Sequence, residues 1–165
     1  MTVVKVTTKQ AFFILSLSLL FGVARQYFPQ GIKWAGKWPT SSTSALDAYN
    51  MMAQEGDPPF VSLEEVIELQ RTKSGVLLDA RAYKEFIQGR IPDARSLPYY
   101  EIDQYQEVAL KGLKSDTPLV IYCEGVGCEL SFFLGRELQK AGYQKIRIFY
   151  GGYPEWREAG FPIEK

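Results

Sequence analysis

The sequence contains no histidine and only two cysteines among its 165 residues. Without histidine the chain has neither a Cys–His nor a Ser–His catalytic pair, and no imidazole to bind a metal. Two thiols are too few for a four-cysteine zinc site, so we expect no metal and no cofactor. The 19 basic and 19 acidic residues cancel, which gives no electrostatic reason to bind nucleic acid. Any nucleophilic chemistry must therefore use a thiol that main-chain dipoles or nearby cations activate.

One long uncharged run is present, over residues 11–24, and it follows Lys5 and Lys9. A cleaved signal peptide, a membrane anchor and a buried core helix all fit this pattern. The run is shorter than the roughly 20 residues that span a bilayer, but it reaches that length if Arg25 snorkels. We favour a single-pass anchor over residues 1–28 that leaves the rest of the chain on the extracytoplasmic side, because a basic N-terminus ahead of the first apolar segment is typical of a signal-anchor.

The remainder of the chain divides into an irregular segment and a folded domain. Prolines, glycines and a polar stretch predict a linker or irregular arm over residues 29–59, with a helical turn or two over residues 45–54. From residue 60 to residue 165 short apolar runs alternate with helical patterns. This alternation predicts an α/β domain of three layers, with a central, mainly parallel sheet flanked by helices.

The predicted elements of this domain follow from hydrophobic periodicity and capping residues. A capping box at Ser62 and Glu65 marks the start of the first helix. The predicted strands are residues 76–79, 119–122 and 146–150, with an extended segment over 91–97. The predicted helices are residues 63–71, 83–88, 99–113, 128–141 and 154–159.

We expect the active site in residues 118–131, where the sequence predicts a strand, a glycine-bearing loop and a helix in succession. The apolar run ends at Cys123, and Gly125 and Gly127 allow backbone angles that side chains disfavour. This arrangement points main-chain N–H groups into a cup at a helix N-terminus, which suits an anion. We therefore expect the thiolate of Cys123 to be favoured, which makes Cys123 the candidate nucleophile. The alternative is a buried structural cysteine.

The rest of the active loop consists of Glu124, Gly125, Val126, Gly127, Cys128, Glu129, Leu130 and Ser131. Cys128 either packs against the helix or resolves a persulfide or sulfenate of Cys123 by forming a disulfide. Glu124 and Glu129 raise the pKa of the Cys123 thiol if they point inward, and are otherwise solvent-facing carboxylates.

Four residues outside the loop are expected to support it. Asp79 and Arg81 follow a buried strand, and we expect structural hydrogen bonds or an ion pair between them near the active loop. Gly151 and Gly152 are expected to form a tight turn beside the pocket.

Residues 60–165 resemble a rhodanese domain in three motifs. The segment Val-Leu-Leu-Asp-Ala-Arg and the residues after it, over 76–94, are similar to the first family signature, with Arg90 where the family usually has histidine. Tyr122-Cys123 matches the position of the catalytic cysteine. The segment Gly-Gly-Tyr-Pro-Glu-Trp and the residues after it, over 151–162, are similar to the C-terminal signature.

The resemblance implies a sulfurtransferase whose Cys123 takes sulfane sulfur from a small donor as a persulfide and passes it to a thiol or cyanide-like acceptor. The loop is longer than in common members and has no basic residue between Cys123 and Ser131, which argues against thiosulfate as the natural donor. Glu129 stands where the related dual-specificity phosphatases need arginine, which excludes phosphatase activity.

Two alternatives remain open beside this reading. The domain could be a catalytically weak interaction module of a membrane protein complex, as the acidic loop and the predicted anchor together suggest. It could also be a dithiol redox protein that uses Cys123 and Cys128.

Overall fold

The computed structural model describes residues 45–165, which form an α/β fold around one parallel sheet. The sheet has four strands in the order β2–β1–β3–β4, and each neighbouring pair runs parallel. The strands are β1 (Val76–Asp79), β2 (Arg95–Ser96), β3 (Leu119–Tyr122) and β4 (Ile146–Phe149). The predicted α/β class, with a parallel sheet flanked by helices, is confirmed.

Within residues 45–165, six helices and one short 3-10 turn surround this sheet. The helices are α1 (Ala45–Met52), α2 (Leu63–Thr72), α3 (Tyr83–Gln88), α4 (Ile102–Ala109), α5 (Leu130–Lys140) and α6 (Gly152–Glu158), and the 3-10 turn is Tyr99–Glu101. The predicted capping box opens α2: the Glu65 amide donates to Ser62 Oγ at 3.4 Å, and the Ser62 amide donates to Glu65 Oε2 at 3.0 Å. These bonds satisfy N–H groups that the first turn of a helix leaves unpaired.

Alternate residues of the strands pack on opposite faces of the sheet. Along β3, Leu119 and Ile121 belong to one hydrophobic cluster, while Val120 and Tyr122 belong to the other. The first cluster includes side chains of α1 and α5, and the second includes side chains of α2 and α6. A parallel sheet needs both faces covered in this way, which explains why its strands are nearly continuous apolar runs.

Helix α1 packs on the domain, although it falls within the segment predicted as a linker. The Tyr49 ring lies 5.4 Å from the Phe132 ring and 6.2 Å from the Tyr150 ring, between centroids. Asp57 accepts two hydrogen bonds from Arg136, at 2.6 and 2.9 Å. The helical turn or two predicted over residues 45–54 is thus present as α1, and this part of the predicted linker or irregular arm packs on the domain core.

Some predicted boundaries differ from the structure. The helix predicted over residues 99–113 begins as a 3-10 turn and ends at Ala109, before Gly112 with φ 76°. In the extended segment predicted over 91–97, only Arg95–Ser96 joins the sheet, because Asp93 takes a left-handed turn conformation with φ 61°. Neither difference moves the carboxyl edge of β3.

The N-terminal predictions lie outside the described residues. These are the anchor over residues 1–28, its orientation, and the first part of the linker, over residues 29–44. Within residues 45–165, no helix is long and apolar enough to cross a membrane.

Candidate active site

Cys123 lies directly beyond the carboxyl end of β3, the second of the two central strands. Its side chain is 0% exposed. The Cys123 sulfur lies 3.6 Å from Oγ of Ser131, in the first turn of α5, and 3.5 Å from the carbonyl oxygen of Cys128. The structure therefore brings together Cys123, Cys128 and Ser131, three of the predicted loop residues.

Two glycines determine how the backbone turns in the loop after Cys123. Gly125 and Gly127 both adopt left-handed conformations, with φ 98° and 89°, as predicted. Between them the chain turns so tightly that the Cys128 amide donates to the Gly125 carbonyl at 2.9 Å. α5 begins at Leu130, two residues after the predicted start at Cys128, and its first main-chain hydrogen bond runs from the Phe133 amide to the Glu129 carbonyl.

The turn at Gly151 and Gly152 supports the loop by direct backbone contact. The amide of Tyr153 donates to the Cys123 carbonyl at 3.0 Å. A Cβ atom placed on Gly152 would lie 2.4 Å from that carbonyl oxygen, and one placed on Gly125 would lie 2.7 Å from the Gly151 carbonyl. Glycine at these positions therefore lets the two backbones approach each other, and Gly152 is also the first residue of α6.

The predicted ion pair at the sheet edge is present. Arg81 donates from Nη2 to Asp79 Oδ2 at 2.7 Å and to the Gly89 carbonyl at 2.8 Å, and both charged side chains are buried. Its guanidinium lies 4.1 Å from the centre of the Tyr153 ring. Arg81 Nη1 reaches the active loop, where it lies 3.4 Å from Oε2 of Glu124. Arg81 thus connects β1 to the loop that carries the thiols.

The other loop residues are arranged around the thiols. The side chains of Glu124, Val126 and Glu129 are exposed to solvent, so neither carboxylate points inward. Leu130 is half-buried, and Ser131 is fully buried.

The two neighbouring thiols have pKa values shifted in opposite directions, lowered at Cys128 and raised at Cys123. The pKa of Cys128 is lowered to about 6, first by the hydrogen bond from Cys123 and then, against partial burial, by the main-chain N–H groups of Leu130 and Glu124. The same hydrogen bond, together with burial and the charge on Cys128, raises the pKa of Cys123, although the Ser131 hydroxyl and N–H oppose this effect. The prediction that the thiolate is favoured at Cys123 is therefore wrong for this closed loop, because the neighbouring Cys128 and burial raise the pKa of its thiol more than the Ser131 hydroxyl and N–H lower it.

Tyr150 is a loop contact that the sequence patterns did not reveal. Its hydroxyl accepts a hydrogen bond from the Gly127 amide at 2.8 Å, and its ring is buried beside Phe132. The available signal was its position: Tyr150 follows β4, and the carboxyl ends of adjacent parallel strands lie at one edge. Within residues 45–165, no group of three acidic or cysteine side chains could hold a metal ion.

The chain is similar in sequence to several curated proteins, two of which are named as sulfurtransferases. A sulfurtransferase of Allochromatium vinosum is 33% identical over 95 residues, which cover 58% of this chain and 83% of the relative. The human thiosulfate:glutathione sulfurtransferase is 32% identical over 111 residues, which cover 61% of this chain and 94% of the relative. The HTH-type transcriptional regulator Rv0324 of Mycobacterium tuberculosis is 31% identical over 99 residues, 59% of this chain, and the match spans 42% of the regulator's length.

The solved structures and the family model agree as well. The human single-domain sulfurtransferase TSTD1 matches with a TM-score of 0.53 at 27% identity, covering 62% of this chain and 98% of that chain. The family model for the rhodanese-like domain matches residues 62–159, more than half of the sequence. The resemblance seen in the three motifs is thus confirmed, and the chain belongs to the rhodanese-like domain family.

Proposed function

We propose that the chain is a sulfurtransferase in which Cys123 carries sulfane sulfur as a persulfide. The observation that carries this proposal is the position of Cys123 beyond β3, where the N–H and hydroxyl of Ser131 hydrogen-bond its sulfur. A persulfide ends in a negatively charged sulfur, which such donors at a helix N-terminus stabilise. The relatives named as a sulfurtransferase and a thiosulfate:glutathione sulfurtransferase support the same reaction class.

The reaction needs no histidine, because the N–H and hydroxyl of Ser131 favour the thiolate of Cys123. The thiol proton leaves to solvent when the loop opens. Cys123 then attacks the outer sulfur of the donor, the donor's bond to that sulfur breaks, and the donor leaves as an anion. In the second half, an acceptor thiolate or cyanide attacks the outer sulfur of the persulfide and regenerates Cys123.

The donor reaches Cys123 only when the loop over residues 124–129 moves, because the closed loop leaves the thiol 0% exposed. Val126, near the middle of this loop, is 62% exposed and contributes nothing to the core clusters. Opening also breaks the hydrogen bond from the Gly127 amide to Tyr150. The loop therefore acts as a small cover over the thiol.

The charge of the loop favours a donor with little negative charge. Glu124 and Glu129 are both exposed on the cover, and the sequence between Cys123 and Ser131 has no basic residue. The dianion thiosulfate meets repulsion there, whereas an organic persulfide holds its other charged groups several bonds away from the reacting sulfur. We therefore propose a small persulfide as donor and a thiol as acceptor.

Mass spectrometry tests the reaction directly. The Cys128→Ser variant, in which no second thiol competes for the sulfur, is incubated without oxygen with glutathione persulfide, mercaptopyruvate or thiosulfate. We expect one additional sulfur mass on the peptide that contains Cys123, and none in a Cys123→Ser/Cys128→Ser double variant. If no donor places sulfur on Cys123, the proposed reaction is wrong.

We propose further that residues 1–28 anchor the domain at a membrane, on the extracytoplasmic side. The support is the apolar run over residues 11–24 behind Lys5 and Lys9. The test expresses the full chain in cells, separates membranes, and treats intact cells or spheroplasts with protease. Recovery in the soluble fraction, or an intact mass that lacks these residues, would contradict the anchor, and protection from protease would contradict its orientation.

A second candidate, a non-enzymatic module of a membrane complex, draws support from the complete burial of Cys123. This candidate predicts that membrane proteins co-purify with the full chain in a fixed ratio. They should still co-purify when Cys123 is replaced by serine. Loss of the persulfide-dependent activity in that variant, without a co-purifying partner, would favour the enzyme.

A further inference from the structure

The two cysteines of the chain lie side by side, although five positions separate them in sequence. The Cys123 thiol donates a hydrogen bond to the Cys128 carbonyl oxygen at 3.5 Å, which places the two residues in direct contact. Both are free thiols, with Cys123 fully buried and Cys128 partly exposed. The left-handed conformations of Gly125 and Gly127 bend the intervening chain back on itself and thus create this contact.

The main-chain N–H groups of the loop prepare Cys128 for nucleophilic attack. Its sulfur accepts hydrogen bonds from the amides of Glu124 and Leu130, one on each side of it in sequence. These donors hold the sulfur beside Cys123 and favour its thiolate near neutral pH. A cysteine that only packed against apolar neighbours would not need the hydrogen bonds from Glu124 and Leu130. Cys128 therefore does more than fill space in the loop.

We propose that Cys128 is the resolving thiol of this site, which converts the sulfur carried on Cys123 into free hydrosulfide. This proposal rests on the proposed function, because it begins from the Cys123 persulfide. The Cys128 thiolate attacks the inner sulfur, which belongs to Cys123, and the bond between the inner and outer sulfur breaks. The outer sulfur leaves with the bonding electrons as hydrosulfide. The two thiols are thereby oxidised to a Cys123–Cys128 disulfide, and the sulfane sulfur is reduced to sulfide, so no external oxidant is needed.

Burial of Cys123 favours this internal step over attack by a free acceptor. An external thiol must wait for the loop to open, whereas Cys128 is already in contact in the closed state. A nucleophile held in place gains an effective concentration well above that of a free thiol in solution, on the order of millimolar or more. Closure of the loop after loading thus selects the resident thiolate.

The disulfide must be reduced before another turnover, which defines the class of reductant. A dithiol suits this task, because its second thiol completes the exchange after the first has formed a mixed disulfide. The half-exposed sulfur of Cys128 is the accessible point of attack, since the sulfur of Cys123 stays buried. The inferred cycle therefore consumes a persulfide and a dithiol, and it releases hydrosulfide.

A single-turnover experiment compares the full-length parent protein with its Cys128→Ser variant. Each reduced protein is freed of reductant and mixed without oxygen with one equivalent of glutathione persulfide. For the parent we expect about one hydrosulfide per chain and a protein that has lost two hydrogen masses, with the Cys123 and Cys128 peptides linked. For the variant we expect a retained sulfur on Cys123 and at least about tenfold slower release of hydrosulfide.

The outcomes separate the two proposals. If the variant loads sulfur on Cys123 and the parent keeps its persulfide equally long, the resolving role is wrong while the sulfurtransferase proposal stands. If the variant never loads sulfur, both proposals fail together. A Cys128→Ala variant with the parent's circular dichroism spectrum repeats the measurement, so that a local effect of the serine hydroxyl cannot produce the result.

Discussion

Replacement of Gly152 by alanine tests the backbone contact that positions the nucleophile. Gly152 has φ 64°, a left-handed conformation that costs an alanine roughly 1–2 kcal/mol. The new Cβ would also lie 2.4 Å from the Cys123 carbonyl oxygen and 2.7 Å from the Gly125 nitrogen. Both neighbours are backbone atoms, which cannot rotate away as a side chain can. Overpacking of this kind costs about 1–3 kcal/mol, so with the conformational cost we expect a total loss of about 2–5 kcal/mol in the free energy of unfolding.

Gly160→Ala provides a matched control for the conformational part of this loss. Gly160 is also left-handed, with φ 79°, but no atom lies within 4 Å of the position its Cβ would occupy. The control should therefore lose only the conformational part, about 1–2 kcal/mol. The difference between the two variants then isolates the contact of Gly152 with the active loop.

Urea unfolding of both variants measures the loss, and a persulfide-loading assay measures its effect on the site. We expect Gly152→Ala to load sulfur on Cys123 at least about tenfold more slowly than Gly160→Ala under conditions in which both are folded, since a displacement of about 1 Å can cost that much. Equal stabilities and equal loading rates in the two variants would refute the reasoning, because the loop would then not depend on close approach at Gly152.

Three further predictions concern charge. Arg81→Gln should lower the free energy of unfolding by about 3–5 kcal/mol in urea titrations, because it leaves the buried carboxylate of Asp79 without its partner. The control Arg71→Gln removes an exposed ion pair with Glu68 and should lower it by less than about 1 kcal/mol. Glu124→Gln should raise sulfite release from thiosulfate about two- to tenfold by removing a negative charge from the loop, and the distant Glu107→Gln should not; equal rates in both would contradict the repulsion. Alkylation of Cys128 by iodoacetamide should rise with pH through its lowered pKa of about 6 and level off by about pH 8, whereas a rise centred near the ordinary thiol pKa would contradict the hydrogen bonding around it.

Much of the fold followed from local patterns. The strands at residues 76–79 and 119–122 have the predicted bounds, because short apolar runs between breakers leave little choice of register. The helix predicted over residues 99–113 was extended too far, because Gly112 lies beyond the true end at Ala109 and the turn before it resembles helix in sequence. Packing of α1 was not predictable, since it depends on the facing aromatic residues of distant segments.

The electrostatics of the site could be predicted only in part. The order of strand, glycine loop and helix correctly indicated an amide cup, but the sequence does not specify which sulfur occupies it. That choice depends on where the turn closed by the Cys128 amide places each side chain, a matter of a few ångströms. A shift of that size decides whether the N–H groups of Glu124 and Leu130 meet the sulfur of Cys128 or that of Cys123.

The burial of Cys123 is compatible with catalysis because the contacts that close the loop are weak. One neutral hydrogen bond, from the Gly127 amide to Tyr150, contributes about 1 kcal/mol, and the pair of Arg81 with the exposed Glu124 contributes about 1 kcal/mol or less. The Cys123 thiol, a weak donor, adds only a long contact of 3.5 Å to the Cys128 carbonyl oxygen. A closed state favoured by about 2 kcal/mol leaves the loop open for a few per cent of the time. The Cys123 backbone meanwhile stays fixed by the Tyr153 amide, so opening uncovers the thiol without moving it. The same short loop thus admits the donor when it opens and protects the persulfide when it closes. Opening requires only that its contacts with Tyr150, Arg81 and the Cys123 thiol break.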